Sequence, residues 1–115
     1  MKKTEKIKEN KLFRYLYAKG KCVAFPLFIM YYKKNRVNYN RMGITVSKKI
    51  GGAVARNRAK RVLREAYRLL EPDLREGYDF IFVARTKTTQ VSMLEVKKQL
   101  SSAMKKHNLY LQKSD

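Results

Sequence analysis

RMGITVSKKIGGAVARNRAKRVLREAYRLLEPDLREGYDFIFVA, residues 41–84, reads as strand, helix and strand in succession. In its first seven residues Met42, Ile44 and Val46 alternate with Arg41, Gly43, Thr45 and Ser47, the period of a strand with one buried face. Gly51-Gly52 interrupts the chain before a stretch, about 53–70, whose apolar residues recur at helical spacing, and Pro72 marks its end. YDFIFVA, 78–84, is mostly apolar, as expected of an interior strand. Together they form a β-α-β unit, and the rest of the fold has to be arranged around it.

Working outward, Asn10 is suited to cap a first helix over 11–19, which Gly20 would end as a C′ residue. Phe13, Leu16 and Tyr17 share a face of that helix. CVAFPLFIMYY, 22–32, is β-branched and aromatic, and Pro26 divides it into a short and a longer strand. Tyr31 and Tyr32 fall on opposite faces of the longer one, so one is expected buried and the other, Tyr31, exposed. NRVNYN, 35–40, reads as a loop. Ser92 and Glu95 form a capping box that opens a last helix fading near His107, which is expected at a helix end or on the surface. Residues 1–9 and 111–115 are expected to be mobile. The order α-β-β-β-α-β-α over 115 residues predicts one domain of the α+β class, a two-layer α/β sandwich with helices against one sheet.

In the 53–70 helix the side chains sort into two arcs. Ala55, Ala59, Val62, Leu63, Ala66, Leu69 and Leu70 are expected toward the sheet. Arg56, Lys60, Arg61, Arg64 and Arg68 fall on the other side with Asn57 among them, and Arg58 lies at the border. Only Glu65 and Glu71 are near enough to pair with this row, whereas a solvated helix normally interleaves opposite charges. Lys48 and Lys49 extend the basic arc, and Gly51-Gly52 would allow close backbone approach to a phosphate, although such a pair is as often an ordinary turn.

Composition identifies what such an arc is for. There are 28 Lys+Arg against 9 Asp+Glu, a net charge of +19 and a pI near 10.3, in a chain that is 44% hydrophobic and therefore able to fold. A polyanion relieves the self-repulsion, and each neutralised phosphate of a nucleic acid releases condensed counterion. An anionic membrane fits less well, because the cations are spread through a chain with no segment of spanning length and no signal peptide. Cys22 is the single cysteine, which excludes an internal disulfide, fits a reducing cytoplasmic setting and is expected as a small buried hydrophobe. No cluster of His, Cys or carboxylates has metal-site spacing; the acids Glu71, Asp73, Glu76 and Asp79 surround a turn and read as loop chemistry.

The stretch TVSKKIGGAVARNRAKRVLREAYR, 45–68, resembles the signature of the protein subunit of bacterial ribonuclease P. The aromatic first helix with Gly20, the FIMYY and RMGITVS strands, YDFIFVAR and the closing helix follow the order of that family. Ala59 departs from it, since members often carry a larger aliphatic residue there, a matter of packing and not of the basic face. The resemblance implies a partner, a large catalytic RNA that removes the 5′ leader from precursor tRNA using bound Mg²⁺, with the protein assisting without performing the hydrolysis. It also implies that Arg56, Arg58, Lys60, Arg61 and Arg64 contact RNA phosphates, with Lys48, Lys49 and Arg68 extending that surface, and that Asn57 bonds a phosphate or 2′-hydroxyl. Phe13, Tyr17 and Tyr31 would line a cleft for the single-stranded leader, consistent with aromatic faces that stack unpaired bases. The fold implied has a left-handed β-α-β crossover, shared with one domain of a small-subunit ribosomal protein and contrary to the general rule. A structural RNA-binding protein, such as a small ribosomal protein, shares the charge and size and is the rival reading.

Overall fold

Apolar on both faces, Tyr78–Ala84 (β5) takes the centre of a five-stranded sheet in a computed structural model that describes residues 3–111. The strands are Thr4–Lys6 (β1), Lys21–Ala24 (β2), Phe28–Lys34 (β3), Asn40–Thr45 (β4) and β5, in spatial order β1-β4-β5-β3-β2. β5 runs parallel to β4 and antiparallel to β3. The helices are Asn10–Lys19 (α1), Ala53–Leu70 (α2) and Met93–Lys106 (α3). Phe80, Phe82 and Ala84 join Met30, Met42, Leu63, Leu100 and others in the main core under α2 and α3. Ile81, one residue out of phase, joins Ile7 and Leu16 in a smaller core under α1 on the other face, with Phe13, Tyr31 and Val83 packed against it. The two-layer sandwich of sheet and α2/α3 is thus as expected, and α1 covers part of the sheet's second face. No helix among the described residues is long and apolar enough to cross a membrane.

The stereochemistry of Met42 fixes the hand of the crossover. Its side chain lies in the core under α2, and its carbonyl accepts the N–H of Ile7, 3.0 Å away on the β1 side. For an L-residue seen with the side chain toward the viewer and the strand running up, N–H and C=O point to the right. β1 is therefore to the right of β4, and β5 to the left. A chain that leaves β4, passes in front as α2 and re-enters at the left describes a left-handed turn, against the right-handed form found in about 98% of such units.

Several expectations need correcting. Residues 4–6, expected to be mobile with the rest of 1–9, form the edge strand β1, because two groups anchor this charged segment. Thr4 is buried with its hydroxyl 2.8 Å from that of Tyr67, and Ile7 is buried under α1. A single apolar residue among charges carries no period to read. Residues 1–2 and 112–115 lie outside the described residues; of the C-terminal stretch only Leu111 is described, and its N–H donates to the Asp73 carbonyl at 2.8 Å. Asn10 begins α1 instead of capping it, and Glu9 holds the cap position. Gly20 is not left-handed: its φ is −73°, and it must be glycine because a Cβ would stand 2.6 Å from the Leu16 carbonyl oxygen. Asn40, assigned to a loop, opens β4 as a buried bridge that accepts from the Tyr78 N–H at 2.8 Å and donates to the Arg75 carbonyl at 2.9 Å. Cys22 is exposed, since β2 is a sheet edge. Tyr31 and Tyr32 do face opposite sides, but both are half-buried because each side of the sheet carries a helix or its end.

On α2 the buried arc is rotated slightly from the sequence reading. Leu69 is 39% exposed, while Tyr67 is fully buried with its ring centroid 5.9 Å from those of both Phe80 and Phe82. Burial pushes the Tyr67 hydroxyl up to about 12. Its folded pKa is raised above the unfolded value, so its stabilisation is complete below pH ~10 and is lost as pH climbs from ~10 toward the folded value. Wild-type protein should therefore lose about 2–3 kcal/mol over that window from this group. Tyr67→Phe, melted at pH 8 and at pH 11, should show a smaller alkaline decrement; equal decrements would contradict the assignment.

Candidate nucleic-acid interface

The basic helix is presented by a short, rigid lead-in. Ser47 Oγ accepts the Lys49 N–H at 3.0 Å and caps a 3₁₀ turn over Lys48–Ile50, leaving both lysines exposed. Gly51 follows at φ 145°, a conformation that favours glycine, and Gly52 occupies the N-cap of α2. No acid stands in the first turn to offset the cations.

From that start the side chains fan out. Asn57, Arg58, Arg61, Arg64 and Arg68 are exposed, whereas Arg56 and Lys60 are half-buried at one border of the helix. Arg58 lies at the other border and donates to the Val91 carbonyl at 3.3 Å, ahead of α3. Among the described residues the ion pairs are Lys3–Glu76, Arg41–Asp79 and Arg68–Glu65. Of the expected phosphate-binding cations, then, Arg68 alone spends charge on a carboxylate. Lys48, Lys49, Arg56, Arg58, Lys60, Arg61 and Arg64 do not.

The three aromatic residues meet. Tyr17 stands edge-on to Tyr31 with ring centroids 4.9 Å apart, and Phe13 lies 6.5 Å from Tyr17. Tyr17 is 41% exposed and donates weakly to Thr45 Oγ1 at 3.3 Å. Phe13 sits on Gly43, where a Cβ would come within 2.5 Å of its ring; the glycine is the seat for the aromatic. Cys22 is the cross-strand partner of Tyr31, and its thiol, with burial, raises the Tyr31 pKa. Position alone would have suggested Cys22 from the sequence, had the β2–β3 register been readable.

The aromatic and basic elements also meet. A cleft of about 390 Å³ is lined by Phe13, Gly43 and Ile44 on one side and by Lys60 and Arg64 of α2 on the other. Met42 lines it too, as do Thr4, Lys6 and Ile7 from the N-terminal segment that was expected to be mobile. His107 stands apart, at the C-cap of α3, with Nδ1 3.0 Å from the Tyr32 hydroxyl. Burial, then Lys21 and Lys106, lowers its pKa, so it is held as a neutral packing group.

This combination of signature helix, aromatic cleft and left-handed unit has known counterparts. The family model described as Ribonuclease P matches residues 1–108. The chain belongs to the ribonuclease P protein family. A ribonuclease P protein component from Clostridium botulinum (strain Loch Maree / Type A3) is 42% identical over 109 residues, covering 94% of this chain and 98% of the relative. Another, from Caldanaerobacter subterraneus subsp. tengcongensis, is 44% identical over 111 residues and covers 96% of each. Among solved structures, the Staphylococcus aureus ribonuclease P protein superposes with a TM-score of 0.80 at 32% identity, covering 92% of this chain and 97% of that one. The Thermotoga maritima protein gives 0.79 at 28% identity, over 89% and 96%. A second Staphylococcus aureus structure, TM-score 0.82 at 33% identity and covering 90% of this chain and 88% of that one, is described as a mutant with defective mRNA degradation activity. Membership in the ribonuclease P family makes this chain the protein part of an endoribonuclease complex and accounts for a basic surface far larger than its own fold requires.

Proposed function

We propose that α2 docks on the catalytic RNA while the cleft beside it holds the 5′ leader of precursor tRNA, so that the protein positions a substrate which the RNA cleaves. The observation that carries this reading is the shared cleft, where Phe13 faces the same space as Lys60 and Arg64. An unpaired strand needs stacking faces and phosphate neutralisation together, and the two are side by side here. Asn57, exposed among the arginines, supplies a neutral donor and acceptor for a phosphate or 2′-hydroxyl.

Hydrolysis is assigned to the RNA and its Mg²⁺, in the cytoplasm. Cleaving a phosphodiester takes a placed general base and acid, or carboxylates holding metal. Three of the four acids that the sequence brings close have cationic or N–H partners. Asp79 takes Arg41 at 2.7 and 2.9 Å, Glu71 accepts the Lys3 N–H at 3.3 Å, and Glu76 lies 3.8 Å from Lys3 Nζ. No group of three or more His, Cys, Asp or Glu among the described residues could hold a metal ion. This supports leaving the catalytic ion with the RNA phosphates.

The test is cleavage of precursor tRNA with Mg²⁺ by protein alone, RNA alone and both together. Both together should cut at the 5′ junction at Mg²⁺ levels too low for the RNA alone, and the protein alone should cut nothing. The mRNA degradation named for the Staphylococcus aureus protein makes the protein-only arm informative. Cleavage there, abolished by substituting one of this chain's own acids, would overturn the assignment. The rival reading, a structural RNA-binding protein, expects no rate gain from adding the protein.

A further inference from the structure

α1 has a second aromatic flank. Tyr15 and Tyr17 are two residues apart on a helix and so project about 200° apart. Tyr17 faces the Phe13–Tyr31 cleft, and Tyr15, 48% exposed, lines a separate groove of about 420 Å³ on the other side of the helix. Tyr39, just ahead of β4, lines the same groove. Among the described residues neither ring packs on another ring, whereas Phe13, Tyr17 and Tyr31 contact one another.

The Tyr39 wall is held in place from beneath. Asn35 Nδ2 donates to the Tyr39 carbonyl at 3.1 Å and to Asp79 Oδ1 at 2.9 Å. Asp79, its side chain 4% exposed, is clamped by Arg41 through two hydrogen bonds. A loop fixed by a buried carboxylate presents its aromatic at little entropic cost to binding. Lys8 and Lys11 stand at the groove with a leucine floor from Leu12, Arg41 lines it with its charge spent on Asp79, and Glu5 and Glu9 line it too. That mixture disfavours a bare phosphate inside the groove and suits a base, with lysines available to the flanking backbone.

The groove also continues the leader cleft. Lys6 and Ile7 line both. We propose that the groove holds an unpaired nucleotide of the same leader strand, next along from the one at Phe13, its base on Tyr15 and Tyr39 and its phosphates at Lys8 and Lys11. This rests on the leader reading above and adds a second contact point whose use depends on leader length.

The experiment is holoenzyme affinity for precursor tRNAs whose leaders are lengthened one nucleotide at a time. Wild type should gain affinity in a late step that Tyr15→Ala with Tyr39→Leu removes, a loss of roughly five- to a hundredfold from stacking. Short-leader precursors and mature tRNA should bind the variant as they bind wild type, and Tyr15→Phe with Tyr39→Phe should restore the step. Both rings are partly exposed, and unchanged melting of the variants checks the fold. Retention of the late step by the Ala/Leu variant would overturn the proposal, as would an equal loss for mature tRNA, which would place the groove against the RNA subunit or tRNA body. Failure of the underlying reading shows separately: Phe13→Ala with Tyr31→Ala would then weaken precursor and mature tRNA alike.

Discussion

Replacing Arg61 and Arg64 together by alanine should lower the slope of log affinity against log salt, for the RNA subunit loaded with precursor tRNA, by roughly 1.4 to 1.8. Both side chains are exposed on the outer arc of α2, and neither is in an ion pair among the described residues. Each phosphate contact releases counterion worth roughly 0.7 to 0.9 of slope. The loss of affinity between 50 and 200 mM salt should therefore shrink by roughly seven- to twelvefold in the double variant. Arg68→Ala is the internal comparison. Its guanidinium already pairs with Glu65, so less charge is available to RNA and the slope should change less. Filter-binding titrations at several salt concentrations decide the matter. An unchanged slope in the double variant would remove this face from the interface.

Gly43→Ala should damage leader recognition from beneath the ligand. The added methyl would stand 2.5 Å from Phe13 Cζ and 2.7 Å from Cε1, so the ring has to leave its seat on β4. Overpacking of this kind costs about 1–3 kcal/mol. Stability and the preference for precursor over mature tRNA should fall together. Adding Phe13→Leu to the alanine should return much of the stability, because the smaller side chain clears the methyl, yet leave the precursor preference low, because position 13 no longer offers a ring to stack. Thermal melting with paired affinities for the two tRNAs separates these effects. Recovery of both properties in the double variant would show that the ring matters for packing alone.

What was legible in the sequence follows the strength of each local pattern. α2 and β5 are found where periodicity placed them, at Ala53–Leu70 and Tyr78–Ala84, because both are long and strongly patterned. The Ser92 cap is also seen, with Oγ accepting from the Glu95 N–H at 3.3 Å. Features resting on one residue were not legible. β1 depends on Thr4 reaching Tyr67, 63 positions away, and no local signal announces such a bond. The exposure of Cys22 follows from β2 lying at a sheet edge, a property of strand order and not of the strand. Within the candidate site the aromatic trio and the cations came from the family signature, but the cleft that Phe13 shares with Lys60 and Arg64, and that Tyr17 and Tyr31 do not line, follows from where the short β1 ends. Tyr15 and Tyr39 carry no motif at all.

The shortness of β1 has a consequence for how the cleft exists. Its pairing with β4 stops at Met42, because the chain turns away after Ile7 to enter α1. Beyond that point β4 continues through Gly43 and Ile44 to Thr45, and Ile44, two residues on from Met42, directs its own N–H and C=O to the side β1 has left. Were the first strand longer by a single pair of rungs, the sheet would seal and the space between Phe13 and the α2 cations would be backbone. The aperture is thus gauged by where a short, mixed-charge segment ends, ahead of and separate from the residues that define the family signature.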